Sequence, residues 1–169
     1  MDTDLHKLLL KKAGALLARR TYSRMDLGTK LAEFADEQHV EAALQHLERL
    51  NLLNDYNYAY NFALQRIRQY GWSPERVQSA LLAHCVGQAI IDRALDLVRM
   101  ESGGEESVIK DYVQRRYGKR GLPADLKGVR KLIQHLRQRG FDEETIFAAL
   151  RGDIPDTVLK HFETGESID

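Results

Sequence analysis

One cysteine, three prolines and no apolar run long enough to cross a bilayer set the first limits on this 169-residue chain. A lone Cys85 excludes an intrachain disulfide, which suits a reducing cytoplasm. Cys85 lies among Ala80, Leu81, Leu82 and Val86 and is expected to be buried filler. A membrane helix needs about 18–20 consecutive apolar residues, so no membrane partner is expected. Met1–Arg20 interrupts its apolar pattern with Lys7, Lys11 and Lys12 and does not read as a signal peptide. There is no glycine-rich phosphate loop, no paired-cysteine motif and no nucleophile beside a base, so the chain is not expected to be an enzyme. His39 and His46, seven residues apart, can share a helix face but lack a third ligand. Neither metal nor cofactor is expected.

Leucine is present 24 times, against 16 for valine plus isoleucine, and nothing alternates apolar and polar for long enough to argue a strand. The pattern predicts an all-α chain. The first helix reads as Leu5 to Arg20. The second carries Leu27, Leu31 and Phe34 behind Tyr22-Ser23, and the third carries Val40, Leu44, Leu47 and Leu50 behind the cap Asp36. The stretch Leu52 to Phe62 is a hinge: Asn54 or Asp55 caps a new helix, and Tyr58 packs back over the cap. That helix ends at Gly71, Ser73-Pro74-Glu75 opens the next, and a further one holds Ile90, Ile91, Ala94, Leu97 and Val98. Val129, Leu132, Ile133 and Leu136 form the sharpest helical stripe, closed by Gly140 and followed by the cap Asp142.

The chain repeats itself. Gln65–Leu82 aligned with Gln134–Arg151 shares seven identities in 18 positions, with Gly71 on Gly140, Trp72 on Phe141 and Ser73 on Asp142. Tyr22-Ser23 echoes the same joint. Three tandem three-helix repeats are therefore expected, at 1–53, 54–102 and 105–152, stacked into an elongated, curved array. Residues 153–169 read as a mobile acidic tail with a short helix around Val158 to Phe162.

Charge is neutral in total, 25 basic against 25 acidic, but segregated. Lys110 to Arg139 holds ten Lys or Arg against two Asp, while Glu33 to Asp55 holds six acids against one base. Arg19-Arg20, Arg66 with Arg68, Arg115-Arg116, Lys119-Arg120, Lys127 with Arg130-Lys131, and Arg137 with Arg139 recur at similar places in the repeats. Any one pair reads as a solvated helix back. Together they can form a basic stripe suited to a phosphate backbone or an acidic protein groove. A helix–turn–helix reader of DNA is the competing idea, and Asp142-Glu143-Glu144 at the start of the last repeat's second helix argues against it.

Taken together, Leu17-Ala18-Arg19-Arg20-Thr21-Tyr22-Ser23 with Leu27 and Leu31, Leu53-Asn54-Asp55 with Tyr58-Ala59 and Phe62, then Arg66, Gly71, Val77 and Leu81, and Leu136 to Phe141 leading to Ile146, resemble the RecX family over roughly Leu9 to Arg151. Ala83-His84-Cys85-Val86 departs from a basic-Gly-Ile turn common there, and Gln138 stands where an arginine is common. The resemblance implies a non-enzymatic regulator that binds the RecA recombinase filament on single-stranded DNA and limits its extension, recombinase and co-protease activities; a monomer is expected. The alternative is an independent helical DNA-binding module.

Overall fold

A computed structural model of the chain describes residues 2–118 and 120–163. Among these there is no strand, only one isolated bridge between Arg151 and Ile154. The helices are α1 (Asp2–Leu17), α2 (Arg24–Leu31), α3 (Glu37–Arg49), α4 (Asp55–Arg68), α5 (Pro74–Ala83), α6 (Gln88–Ser102), α7 (Glu105–Tyr117), α8 (Leu126–Arg137), α9 (Glu143–Leu150) and α10 (Asp156–Glu163). Short polar side chains fix where they start. Ser23, Asp36, Asn54, Ser73, Asp125 and Asp142 each accept a hydrogen bond from the backbone N–H three residues on, at 2.8–3.2 Å. Each cap satisfies a donor that the helix leaves unpaired, and losing one costs about 1 kcal/mol.

Packing groups the chain into two compact units: the residues up to Phe62 with Gln78–Leu95, and Ala63–Val77 with the residues from Asp96 onward. In the first unit α1, α2 and α3 pack on one another around Leu9, Ala13, Tyr22, Leu27, Leu31, Ala43, Leu44, Leu47 and Leu53. The joint between α1 and α2 is tied to the start of α4, because the Arg24 amide donates to Asp55 Oδ1 at 2.7 Å. Asn54 is the cap, leaving the Asp55 carboxylate for that bond. Arg24 then reaches Glu41 at 2.6 Å and Glu48 at 2.9 Å. Burial works against its charge, but the two carboxylates outweigh burial and its pKa ends above the ordinary value. Asp26, at the capping-box position, pairs with His84 at 2.9 Å, and Tyr58 and Phe62 lie edge-on to the same imidazole.

In the second unit α7 and α8 each pack on α9, burying Ile109, Leu132, Leu136, Ile146 and Leu150. Two helix joints meet face to face. The Ser73 amide donates to the Arg139 carbonyl at 2.9 Å, and Arg139 Nε donates to the Tyr70 carbonyl at 3.1 Å. Tyr70 and Arg139 are equivalent positions of the internal repeat. Glycine makes this approach possible at Gly140, where a Cβ would lie 2.5 Å from Ser73 Oγ; at Gly71 it makes room for α7, since a Cβ there would lie 2.6 Å from Tyr112 Cδ2. Both glycines have positive φ, +60° and +97°.

Several side chains sit elsewhere than periodicity places them. The first helix is shifted toward the N-terminus, Asp2–Leu17 rather than Leu5 to Arg20. Phe34 lies past the end of α2 and is exposed, with the Lys12 ammonium 4.0 Å from its ring centre. Leu50, Leu52 and Leu97 are exposed as well. Cys85 is exposed, not filler, because it ends α5 in a left-handed conformation (φ +55°) that turns it out of the apolar face. The short helix read around Val158 to Phe162 is α10, and Ile154 and Leu159 are buried.

Gly71→Ala and Gly140→Ala should each destabilise the chain by about 2–4 kcal/mol, summing left-handed strain and overpacking. Gly152→Ala, at φ +91° with open space around it, should cost only the strain. Urea unfolding of the three variants checks this. In the same assay Asp55→Ala should cost about 1–3 kcal/mol, since it strips the Arg24 amide of its acceptor. Asp55→Asn, which keeps an acceptor, should cost less; because burial raises the Asp55 pKa, the carboxyl's contribution is lost as pH rises through the folded value, so the cost of both substitutions against the parent chain should shrink alike as pH rises.

Candidate functional site

Helix α8 has no acidic residue. Its apolar stripe of Val129, Leu132, Ile133 and Leu136 is buried, and that burial fixes which side faces water. Lys127, Arg130, Lys131 and Gln134, spaced by three and four, share the opposite side, and all are exposed. At α7's C-terminal end, Arg115 and Arg116 are exposed too. Cations there also complement the negative end of the helix dipole. With Gln114, Tyr117, Gly118 and Arg120 they line an open cleft of 860 Å³. Among the described residues, Arg115, Arg120, Lys127, Arg130 and Lys131 hold no ion pair.

Other basic positions are engaged inside the second unit. Arg68 bonds the Glu101 carbonyl at 3.1 Å and its carboxylate at 3.3 Å. Arg137 is paired with Glu143. Arg66 is half-buried, 5.0 Å from the Trp72 ring centre. Arg139, besides its bond to Tyr70, lies 4.4 Å over the Tyr112 ring. In the first unit Arg19 and Arg20 are exposed, with Arg20 4.4 Å over Tyr22. Lys119 lies outside the described residues. The structural joints Tyr22, Ser23, Tyr58, Ser73 and Phe141 are buried, while Asn54, Asp55 and Trp72 are half-buried.

Beside the exposed cations is a cluster that sequence reading missed. The Tyr112 hydroxyl and His135 Nε2 are 2.6 Å apart, and the two rings stack at 5.8 Å. Arg76 lies 4.1 Å over Trp72 and donates to the Gln138 carbonyl. The pairing of Tyr70 with Arg139 in the internal repeat was the only signal of this cluster, and nothing marked Arg76 or His135. Burial first, then the charges of Arg139 and Arg116, hold the His135 pKa below its ordinary 6.5. Burial also lowers the Arg139 pKa, aided by Arg116 and Arg76. The cluster is thus a patch of crowded positive charge that an anion would relieve.

Because the folded His135 pKa is depressed, its contribution to stability is present above about pH 6.5 and is lost as pH falls through the folded value. An NMR titration should place the His135 midpoint below 6.5. An anion bound against this patch should move the midpoint up.

No family model matches the chain. It is 34% identical, over 148 residues, to "Regulatory protein RecX" of Stenotrophomonas maltophilia strain K279a, covering 87% of this chain and 88% of that one. A protein of the same name from Chromobacterium violaceum is 31% identical over 89% of this chain and 93% of its own length. Two solved structures share the fold: "Crystal structure of regulatory protein RecX", with a TM-score of 0.65, 22% identity and coverage of 85% of this chain and 70% of that one, and "Crystal structure of RecX from Lactobacillus salivarius", with a TM-score of 0.64, 19% identity and coverage of 96% and 99%.

Proposed function

This chain belongs to the RecX family of regulatory proteins, and from that premise we propose that it binds the RecA filament on single-stranded DNA and limits its extension, recombinase and co-protease activities. The observation that carries the reading is the acid-free outer face of α8, where Lys127, Arg130 and Lys131 stand exposed near in sequence to Arg115, Arg116 and Arg120. Such a face meets an acidic protein surface or a phosphate backbone without first breaking internal ion pairs. The helical repeats of the second unit serve as its scaffold. On this reading the chain acts as a cytoplasmic monomer without catalysis. None of the described helices is long and apolar enough to cross a membrane.

An independent DNA-binding module is the second reading, resting on the same cations. It is disfavoured by α9, whose cap Asp142 and first-turn Glu143 and Glu144 are all exposed and would repel DNA from that helix.

Extension of RecA filaments on single-stranded DNA with ATP should slow at substoichiometric amounts of this protein. The triple variant Lys127→Glu, Arg130→Glu and Lys131→Glu should lose at least tenfold in potency while its circular dichroism stays unchanged. Undiminished potency would remove α8 from the interface. Binding to DNA without the recombinase, if four phosphates are neutralised, should show a log affinity–log salt slope of about −3. Tight, base-specific binding in that assay would instead favour the second reading.

A further inference from the structure

The first unit has an apolar groove that its own packing leaves open. Leu10, Gly14 and Leu17 form one wall; His46, Leu50 and Leu52 form the other; the space between is 430 Å³. Leu50 and Leu52 are 57% and 60% exposed, a large apolar area to leave in water on adjoining positions. Gly14 sharpens the point. It lies inside α1, where glycine costs about 1 kcal/mol relative to alanine. No positive φ requires it, and a Cβ built there meets nothing within 4 Å. Among the described residues, none beyond its own turn of α1 has an atom within 4 Å of the Cβ that would stand there.

The borders of the groove are basic. Lys7 stands one turn before Leu10, Lys11 follows it, and Arg49 precedes Leu50; all three are exposed. The acid beside Arg49, Glu48, is held by Arg24 at 2.9 Å, which leaves Asp4 as the exposed carboxylate one turn before Lys7.

We propose that this groove docks an amphipathic helix of a partner protein, one with leucine- or phenylalanine-sized anchors along one face and carboxylates beside them. A cleft between two helices receives anchors at i, i+3 or i+4, and i+7, and the basic borders select acidic flanks. A second copy fits poorly, because a two-fold contact through this patch sets Lys7, Lys11 and Arg49 against their own equivalents. Nucleic acid fits poorly too, since the lining is leucine. The site shares no residue with the α7–α8 cations, so its failure would leave the filament reading standing.

The test uses the full chain and a fluorescein-labelled synthetic helical peptide with leucine at the anchor positions and glutamate elsewhere, beside a counterpart with lysine for every glutamate. Fluorescence anisotropy should show the acidic peptide binding at least tenfold tighter, and weaker as salt rises. Gly14→Phe grows a side chain into the open groove and removes a helix-weakening glycine, so it should fold normally by circular dichroism and reduce binding at least tenfold. Leu50→Asp should do the same from the other wall, and Lys7→Glu with Arg49→Glu should reverse the preference between peptides. Equal binding of the two peptides would overturn the proposal, as would full binding by both groove variants. Sedimentation showing a wild-type dimer that Gly14→Phe converts to a monomer would also overturn it, assigning the groove to a second copy.

Discussion

The backbone contact between two helix joints governs the second unit. The Ser73 amide meets the Arg139 carbonyl at 2.9 Å; Gly140 allows the chains to come that close, since a Cβ there would strike Ser73 Oγ, and Gly71 makes room for the Tyr112 ring beside it. Neither position tolerates a side chain without moving a neighbour. The Tyr112 ring, against Gly71 on one side, is stacked with His135 and covered by Arg139 on others. Tyr112 belongs to α7 and His135 to α8, so one ring fixes how these helices are turned. Tyr112 is thus buried with the apolar residues of α7 and packs against α8, while burial of the apolar sides leaves Arg115, Arg116, Lys127, Arg130 and Lys131 exposed.

The first unit uses the related joint with different chemistry. Ser23 caps α2 as Ser73 caps α5, but the joint is anchored by a carboxylate, Asp55, on the Arg24 amide. Arg24 then draws Glu41 and Glu48 toward it. Half-burying Asp55 raises the cost of its charge, and the amide donor offsets part of that cost. Three of the six acids that make Glu33 to Asp55 look like an acidic face are thus engaged with Arg24, and the free surface is less acidic than a count implies.

The same distinction divides the basic residues. Arg68, Arg137 and Arg139 answer a carboxylate, a carbonyl or an aromatic ring of their own unit. They are bound up in the fold, and mutating them would confuse binding with stability. Arg115, Arg120, Lys127, Arg130 and Lys131 are held by no such partner among the described residues, so they are the ones an external anion meets first. Membership of the RecX family says what class of protein carries this surface; the pairing inside the fold says which of its charges are available.

By itself the sequence determined the helices, their caps and the equivalence of the joints. Those depend on local chemistry: a hydroxyl or carboxylate over free amides at Ser23, Asp36, Ser73 and Asp142, and leucine spacing of three and four; between Asn54 and Asp55 only the structure chose. It also marked Gly71 and Gly140 as special, since the repeat carries both. Only the tertiary structure decided that Gly140 meets Ser73 and Gly71 meets Tyr112, that Arg139 is clamped while Lys131 is not, and that Phe34, Leu50 and Cys85 lie in water. Periodicity shows that a helix has an apolar side but not what will cover it. A charge is read from one residue, whereas its partner, 31 positions away for Arg24 and Asp55 and 69 for Tyr70 and Arg139, is chosen by the fold.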